Sequence, residues 1–468
     1  MFPKLFTSIV KVIQDLWGRL HLPGRTAVTF TSIYLAITAL LVYLSPRSVP
    51  AFLLFVVSAL WIYSLPMKGR SKIILGLVMA FIIIPVIGER NIFYLEVIFQ
   101  IAVFAALALG LNIVVGFAGL LNLGYVAFYA VGAYLWAIFG SQQLFMLNQI
   151  PGTAPATNAF FLPANTFYLF LILGAGLAAL VGILLGLPVL RVRGDYLAIV
   201  TLGFGEVIRV MANNLDKPIN LTNGPQGITP IQRPTLWAPL INVLNAILTP
   251  LVGHPVSDSD FYNLFFYILA LLVAVVVIIT VIRLDNSRIG RAWAAIREDE
   301  LAASAMGIPV VRFKLAAFAV GASFAGVMGV LFAASRTFVS PESFNFLQSI
   351  GVLSMVILGG LGSIPGVILG AAVVVILNLQ VLQGFSLWLS DLRQSGTVIP
   401  LINFALKDIS PLLDPAQYQR MLFGLILIFM MIYRQNGLIP ATRRKHGKVE
   451  AGPPEPAQKT AEVNDGAA

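Results

Sequence analysis

The chain has 468 residues, of which 58% are hydrophobic and only 11% are charged, and its mean hydropathy is +0.90. A soluble domain carries charge on about a quarter of its residues, so this composition excludes one. The apolar runs are also too long for the strands of a membrane barrel. The sequence therefore predicts an all-α polytopic membrane protein with about 10–12 hydrophobic membrane segments.

Charge and side-chain chemistry exclude several classes of site. Cysteine is absent, so disulfides, thiol catalysis and thiolate metal sites are excluded. The three histidines, His21, His254 and His446, lie far apart in the sequence, which predicts no metal centre. The net charge of +10 falls in loops and tails, where it orients membrane segments, so we expect no nucleic-acid partner.

The N-terminal part divides into two predicted units. Residues 1–25 carry four basic residues and a helical repeat of apolar ones, which predicts an interfacial segment on the cytoplasmic face. Residues 26–92 are predicted to hold transmembrane helices near 27–44, 51–66 and 71–88. The short basic link between the second and the third of these helices is predicted to lie in the cytoplasm.

Residues 93–433 form the predicted core of the membrane protein. Its segments are predicted near 93–115, 119–140, 167–190, 196–212, 261–282, 312–334, 346–360, 363–381 and 418–433. The links 141–166, 213–260 and 382–417 have no excess of basic residues and are predicted to lie outside. Residues 434–468 are predicted to be a disordered basic tail, with both chain termini in the cytoplasm.

The densest charge lies in residues 283–314, which carry six basic and four acidic residues between two apolar runs. Basic residues in a short loop between membrane segments indicate the cytoplasmic side. Asn286 or Ser287 as a cap and Gly307 as a stop predict one helix from Arg288 to Met306. Such a helix could lie on the lipid surface, dock in a groove of another protein, or form a solvated loop. Its apolar arc is predicted to comprise Trp293, Ile296, Leu301, Ala305 and Ile308.

Polar side chains within apolar segments are the other candidates for a functional site. Glu206 and Arg209 are three residues apart, so they share a helix face and can form an ion pair. Asn112, Asn122 and Thr201 can hydrogen-bond between helices. All five either fix helix packing or line a path across the membrane, and both interpretations stay open. The dense glycines, Gly132, Gly326 and Gly329 among them, predict close packing of helices.

Several longer motifs resemble one family of membrane proteins. They are GLNIVVGFAGL (Gly110–Leu120), Gly124-Tyr125, Gly132-Ala133-Tyr134, RGDYLAIVTLGFGE (Arg193–Glu206), GRAWAAIREDE (Gly290–Glu300), FVSPES (Phe338–Ser343) and GLIP (Gly437–Pro440). In this order they resemble the permease subunits of branched-chain amino acid ABC importers, and specifically the M-type (LivM) subunits. The similarity covers roughly residues 95–440.

The resemblance implies a permease that imports branched-chain or related amino acids across the bacterial inner membrane. It also implies a homologous H-type permease subunit, two cytoplasmic ATPase subunits and a periplasmic amino-acid-binding protein as partners. This chain would then bind no cofactor, and ATP and Mg would sit on the partner subunits. The residues implied to couple to the ATPases are Arg291, Trp293, Ile296, Arg297, Glu298, Asp299, Glu300, Ala302, Ala303 and Gly307. Leu301 departs from the family pattern, because an acidic residue is expected there and stands one place earlier.

Two other classes of function remain as alternatives. An ion-coupled secondary transporter of small zwitterions would want ionisable residues at mid-membrane, and only Glu206 and Arg209 clearly qualify. A membrane enzyme would need clustered His, Asp or Glu side chains near one interface, and the sequence shows none. A nucleotide-binding motif is also missing, so we predict no catalytic residues and no ATPase activity in this chain.

Overall fold

The computed structural model describes residues 24–45, 48–65, 67–147, 160–190, 192, 195–236, 246, 258–394, 398–399, 404–405, 418–434 and 437–440. Within these ranges the regular structure is helical, apart from one short antiparallel pair, β1 (Val398–Ile399) and β2 (Phe404–Ala405). Most of the predicted interfacial segment 1–25 and most of the predicted C-terminal tail lie outside the described residues.

The described residues form fourteen α-helices, where segments that are continuous through a π-helical turn are counted as one helix. They are α1 (Gly24–Leu44), α2 (Val49–Ser64), α3 (Gly69–Val78, a π-helical turn Met79–Ile83, and Ile84–Arg90), α4 (Ile92–Asn112, followed by a π-helical turn Ile113–Phe117), α5 (Val126–Phe139), α6 (Phe167–Val189), α7 (Asp195–Asn214), α8 (Asp258–Asp285), α9 (Arg288–Glu298), α10 (Glu300–Ala305), α11 (Val310–Arg336), α12 (Phe346–Gly359), α13 (Ile364–Ile376, a π-helical turn Leu377–Leu382, and Gln383–Gln394) and α14 (Gln419–Tyr433). Among the described residues, nine helices are long and apolar enough to cross a membrane and three apolar ones are shorter. The all-α polytopic class is confirmed.

Polar residues fix where several helices begin. The side chains of Asn91, Asn345 and Ser363 accept hydrogen bonds from the free backbone N–H groups of α4, α12 and α13, respectively. Such caps replace part of the hydrogen bonding that the first turn of a helix lacks, and this matters most where water is scarce. The starts of these three helices therefore lie within a residue or two of the predicted starts at 93, 346 and 363.

Helix α11 is the centre of the bundle and packs against α4, α5 and α6 through glycines. A Cβ atom added at Gly326 would lie 2.3 Å from the carbonyl oxygen of Gly174 on α6. One added at Gly132 on α5 would lie 2.0 Å from the Gly326 carbonyl oxygen, and one at Gly329 would lie 2.1 Å from that of Tyr129. Helices α5, α6 and α11 therefore contact one another through their backbones, as the glycine density predicts.

The N-terminal helices form a second cluster on the side of this bundle. Phe52 of α2 stacks on Tyr94 of α4 with ring centroids 4.5 Å apart. The Tyr267 hydroxyl of α8 donates to the Ala80 carbonyl oxygen in the π-helical turn of α3, at 2.7 Å. Helices α2 and α3 thus contact α4 and α8, respectively, and α1 packs on α2 and α3. These contacts lie apart from the central glycine contacts.

Two predicted elements are wrong in their bounds. A helix predicted over 119–140 begins only at Val126, and residues 118–125 are not helical. Side chains bind two backbone N–H groups of this stretch: Asn122 accepts from the Gly124 N–H, and Thr201 of α7 accepts from the Leu123 N–H. These groups therefore have partners without a helix.

The second difference concerns the predicted outer loop 382–417. Its first part is helical, because α13 continues through its π-helical turn to Gln394. Three large apolar side chains on this extension, Phe385, Leu387 and Trp388, are exposed. A run that alternates apolar and polar residues at helical spacing therefore extends the membrane helix by about three turns. The rest of the predicted loop lies mostly outside the described residues.

The bundle has two ends, which we name by the elements found there. The loop end carries α9 and α10, which connect α8 to α11. The far end carries Arg336, where α11 finishes about 40 Å away. At the far end, the chain at Ser141 pairs with Ile231, and Ile228 pairs with Val339. Part of the polar link after α7 is therefore ordered against α5 and α11.

Candidate functional site

The loop end contains two short helices and not the single helix that we predict over 288–306. Ser287 caps α9, since its hydroxyl accepts from the N–H groups of Ile289 and Gly290 at 3.1 and 3.3 Å. Helix α9 then ends at Glu298, because Asp299 adopts an extended conformation. The Asp299 carboxylate accepts from two N–H groups at the start of α10, at 2.9 and 3.0 Å. An aspartate that caps a new helix cannot also continue the old one.

One face of α9 is buried against this chain's own membrane helices. Trp293 is 0% exposed, and its Nε1–H donates to the Phe313 carbonyl oxygen on α11 at 2.7 Å. Ile296 is buried beside it. Both residues therefore attach the loop to the bundle, so any role of theirs in coupling to a partner is through position and not through direct contact.

Arg297 joins α9 to the end of α4. Its Nη1 group donates to the carbonyl oxygen of Gly116 in the π-helical turn that follows α4. The alkyl part of the same side chain packs on Gly119, whose φ is +71° and where an added Cβ would lie 3.0 Å from Arg297 Cγ. Arg297 thus contacts both the last turn of α4 and the beginning of the non-helical stretch 118–125.

Helix α10 contacts the first turns of α11 along one of its sides. Glu300 forms an ion pair with Lys314, with 2.7 Å between Oε2 and Nζ, and the Lys314 side chain is 9% exposed. Ala303 is buried below it. Gly307 ends the helix in a left-handed conformation, with φ of +84°, which only glycine adopts without strain. The predicted stop signal is therefore confirmed.

Two large apolar residues are exposed at α10, Leu301 within the helix and Met306 directly after it. Leu301 is 73% exposed and Met306 is 84% exposed. The prediction that Leu301 shares one apolar arc with Trp293 is wrong, because the break at Asp299 turns α10 away from the direction of α9. The remaining predicted coupling residues, Arg291, Glu298 and Ala302, are exposed as well.

Loss of the Trp293 hydrogen bond should weaken the attachment of α9 to α11. In Trp293→Phe the partly buried bond to the Phe313 carbonyl oxygen is lost, and a hydrogen bond of this kind contributes about 0.5–1.5 kcal/mol. We expect a lower melting temperature of the purified chain in detergent. Trp388→Phe is the matched control, since Trp388 is exposed on α13. Equal melting temperatures for the two variants would contradict the attachment.

Three of the candidate pathway residues are buried beside the non-helical stretch. Asn112 on α4 accepts from the Gly362 N–H at 2.9 Å, and Thr201 donates to Ala198 while it accepts from Leu123. Asn112 and Asn122 each keep a buried side-chain Nδ2 group that has no hydrogen-bond partner. Asn112 and Thr201 therefore hydrogen-bond from their helices to non-helical backbone, and a role in lining a path stays a prediction.

The turn that Asn112 holds is also covered from the loop end. This turn, Gly359–Ser363, connects α12 to α13. After α14 the backbone N–H groups of Leu438 and Ile439 donate to the carbonyl oxygens of Leu358 and Gly359, at 2.9 and 3.1 Å. The GLIP motif therefore has a structural role, because it pairs with backbone groups where α12 ends.

Glu206 and Arg209 form the predicted ion pair, with Arg209 Nε 2.8 Å from Glu206 Oε2. The sequence does not reveal the third member: Arg209 Nη1 also lies 2.8 Å from Glu342 Oε1 in the turn before α12. The group lies toward the far end and is partly solvent-exposed. It joins α7 to α12, and whether it also lines a path stays a prediction.

Known proteins resemble this chain over the part that begins at α4. The family described as "Branched-chain amino acid transport system / permease component" matches residues 93–431. The high-affinity branched-chain amino acid transport system permease protein LivM of Escherichia coli K12 is 38% identical over 350 residues, which cover 73% of this chain and 68% of that protein. A probable LivM of Methanocaldococcus jannaschii is 27% identical over 350 residues, covering 71% and 89%.

A second group of relatives is more distant. The permease protein LivH of Escherichia coli K12 is 30% identical over 122 residues, which cover 26% of this chain and 39% of that protein. No solved structure matches the chain. The family match spans α4 to α14 and leaves out α1 to α3, as the two packing clusters suggest. The chain belongs to the branched-chain amino acid transport permease family, and within it to the M-type, LivM-like subunits.

Proposed function

We propose that the chain is the M-type membrane subunit of an ATP-driven importer of branched-chain or related amino acids. It pairs with an H-type permease subunit in the inner membrane, and two cytoplasmic ATPase subunits hydrolyse MgATP. A periplasmic binding protein delivers the amino acid to the far end. The loop end and both chain termini then face the cytoplasm. Family membership and the similarity to LivM and LivH support this assignment.

The observation that carries the proposal is the construction of the loop end. Trp293 and Arg297 attach α9 to the membrane helices, whereas α10 exposes Leu301 and Met306. An exposed apolar pair beside charged residues is suited to a groove on another protein. Movement of a partner that holds α10 would reach α4 and α11 through the attached helix α9.

The substrate path is proposed to run beside residues 118–125. Non-helical backbone within a membrane bundle is tolerated where it is covered by protein or lines a cavity. The unpaired Nδ2 groups of Asn112 and Asn122 each cost about 1–3 kcal/mol in this conformation. They are therefore suited to pair in a second conformation, which alternating access requires.

Import by the reconstituted complex tests the function. The M-type and H-type permeases, the ATPases and the binding protein are placed in proteoliposomes, with MgATP inside and leucine outside. We expect leucine accumulation that needs ATP and survives an uncoupler. Accumulation that continues without ATP and collapses with the uncoupler would identify an ion-coupled transporter instead.

The exposed pair on α10 gives a sharper prediction. Burial of a Leu or Met side chain contributes about 1.5–3 kcal/mol, so Leu301→Ser with Met306→Ser should weaken ATPase binding by roughly a hundredfold or more. Co-purification of the ATPases with the permease measures this. The exchange Leu301→Met with Met306→Leu keeps the apolar surface and should keep the complex. Normal co-purification with the serine variant would contradict the docking.

A further inference from the structure

A cavity of about 260 Å³ lies at the far end, between the beginnings of α4 and α8 and the end of α11. Ligand pockets typically measure about 300–1,000 Å³, so this one suits a molecule of few heavy atoms. Its polar lining among the described residues includes Glu96, Arg233, Asn263 and Arg336. Both signs of charge therefore face one small space.

Glu96 has one carboxylate oxygen engaged and one available. Its Oε1 atom accepts from Gln100 Nε2 at 2.7 Å and from Arg336 Nη2. Its Oε2 atom receives no hydrogen bond from any residue that the structure describes. The Glu96 and Arg336 side chains are 31% and 41% exposed, so the space between them is open to the outside. A cationic donor that enters the cavity can reach Oε2.

Arg233 supplies a positive charge with spare donors. Its guanidinium lies over the ring of Tyr262, 5.1 Å from the centroid. Its Nε atom is buried and has no hydrogen-bond partner. Arg233 forms no ion pair within the described ranges. The side-chain amide of Asn263, which lines the same cavity, forms no hydrogen bond with the described residues. An oxyanion would satisfy these donors, since a charge-assisted hydrogen bond is stronger than a neutral one.

The remaining wall of the cavity is apolar. Leu95, Phe99 and Phe266 line it, and each is only 4% exposed. This surface can receive an aliphatic chain. The charged lining, in turn, disfavours simple ions, because Glu96 would repel an anion and the two guanidinium groups would repel a cation. A molecule that carries an ammonium and an oxyanion close together uses both.

We propose that this cavity is an entry site for an aliphatic α-amino acid in its zwitterionic form. Arg233 and Asn263 bind the carboxylate, Glu96 Oε2 accepts from the ammonium, and the side chain lies on the apolar wall. This rests on the proposed function, because it places the imported amino acid at the end where the binding protein delivers it. A phosphatidylethanolamine headgroup shares the chemistry of ammonium beside oxyanion, so the test must separate the two sources.

Binding of leucine to the full chain, without ATP or binding protein, tests the site. The chain is embedded in phosphatidylcholine nanodiscs, and leucine binding is measured by saturation-transfer difference NMR. Loss of one charge-assisted hydrogen bond costs about 1.5–3 kcal/mol, so Glu96→Gln and Arg233→Gln should each weaken binding about tenfold or more. Arg90→Gln is the matched control, because Arg90 lies over the ring of Tyr43 at 4.7 Å but outside the cavity.

The outcomes separate this inference from the proposed function. Weaker leucine binding in both cavity variants, with the control unchanged, supports the site. Unchanged binding in Arg233→Gln overturns it, even if Glu96→Gln fails to fold after it loses its pair with Arg336. Loss of the leucine signal in phosphatidylethanolamine nanodiscs, with lipid retention reduced by the same variants, identifies a lipid site and also overturns it. Intact binding with no ATP-driven import would overturn only the proposed function.

Discussion

Gly326→Val is expected to prevent the protein from accumulating in a folded form. A Cβ atom at this position would lie 2.3 Å from the Gly174 carbonyl oxygen and 2.5 Å from Ala178 Cβ. Neither neighbour can move as a flexible side chain would, so α6 and α11 must separate. Overpacking of a core costs about 1–3 kcal/mol even where side chains adjust, and backbone contact leaves less room for adjustment. The yield of monodisperse protein after extraction in detergent measures the effect.

Gly176→Val provides the matched control on α6. Nothing lies within 4 Å of a Cβ atom added there, so the same change of residue meets open space. We expect this variant to be recovered at the yield of the unaltered chain. If both variants were recovered equally well, close packing of α11 on α6 would not hold the bundle together.

Arg297→Ala is expected to uncouple import from ATP hydrolysis while the chain remains folded. The variant loses the bond from Nη1 to the Gly116 carbonyl oxygen and the packing on Gly119. A hydrogen bond from a charged group contributes about 1.5–3 kcal/mol, which corresponds to a change of tenfold or more in the docked population. In proteoliposomes, leucine import per ATP hydrolysed should therefore fall by about tenfold.

Arg283→Ala removes the same charge from the same end of the bundle. Arg283 lies exposed on the last turn of α8, before the loop helices begin. Import by this variant should match that of the unaltered complex. An unchanged ratio of import to hydrolysis in Arg297→Ala would show that the contact with Gly116 does not transmit movement from α9 to α4.

Most of the fold was predictable from the sequence, because an uninterrupted apolar run of about 20 residues predicts a membrane-spanning helix. The loop between α8 and α11 was also predictable in position, since Ser287 and Gly307 are strong local signals for a cap and a stop. The break at Asp299 was not. Glu298, Asp299 and Glu300 form a charged run that fits an exposed helix, and only the geometry shows which of the three acts as a cap.

The polar site shows the same limit. The pairing of Glu206 with Arg209 follows from their spacing on one helix, whereas Glu342 lies more than a hundred residues away and joins them only through the fold. The sequence also does not predict that Trp293 is buried against this chain's own helices. Its place on an apolar arc fits either a partner's groove or this chain's own helices, and periodicity alone does not say which surface covers it.

Cross-linking from α10 tests most directly whether an ATP-hydrolysing partner acts on this chain through its loop end. The chain contains no cysteine, so Met306→Cys introduces a single thiol on the exposed side of α10. With the assembled complex in native membranes, we predict that this thiol forms cross-links to the ATPase subunits and that MgATP changes their yield. Labelling of the same thiol from the periplasmic side, or the absence of any cross-link in membranes that import leucine normally, would contradict the account.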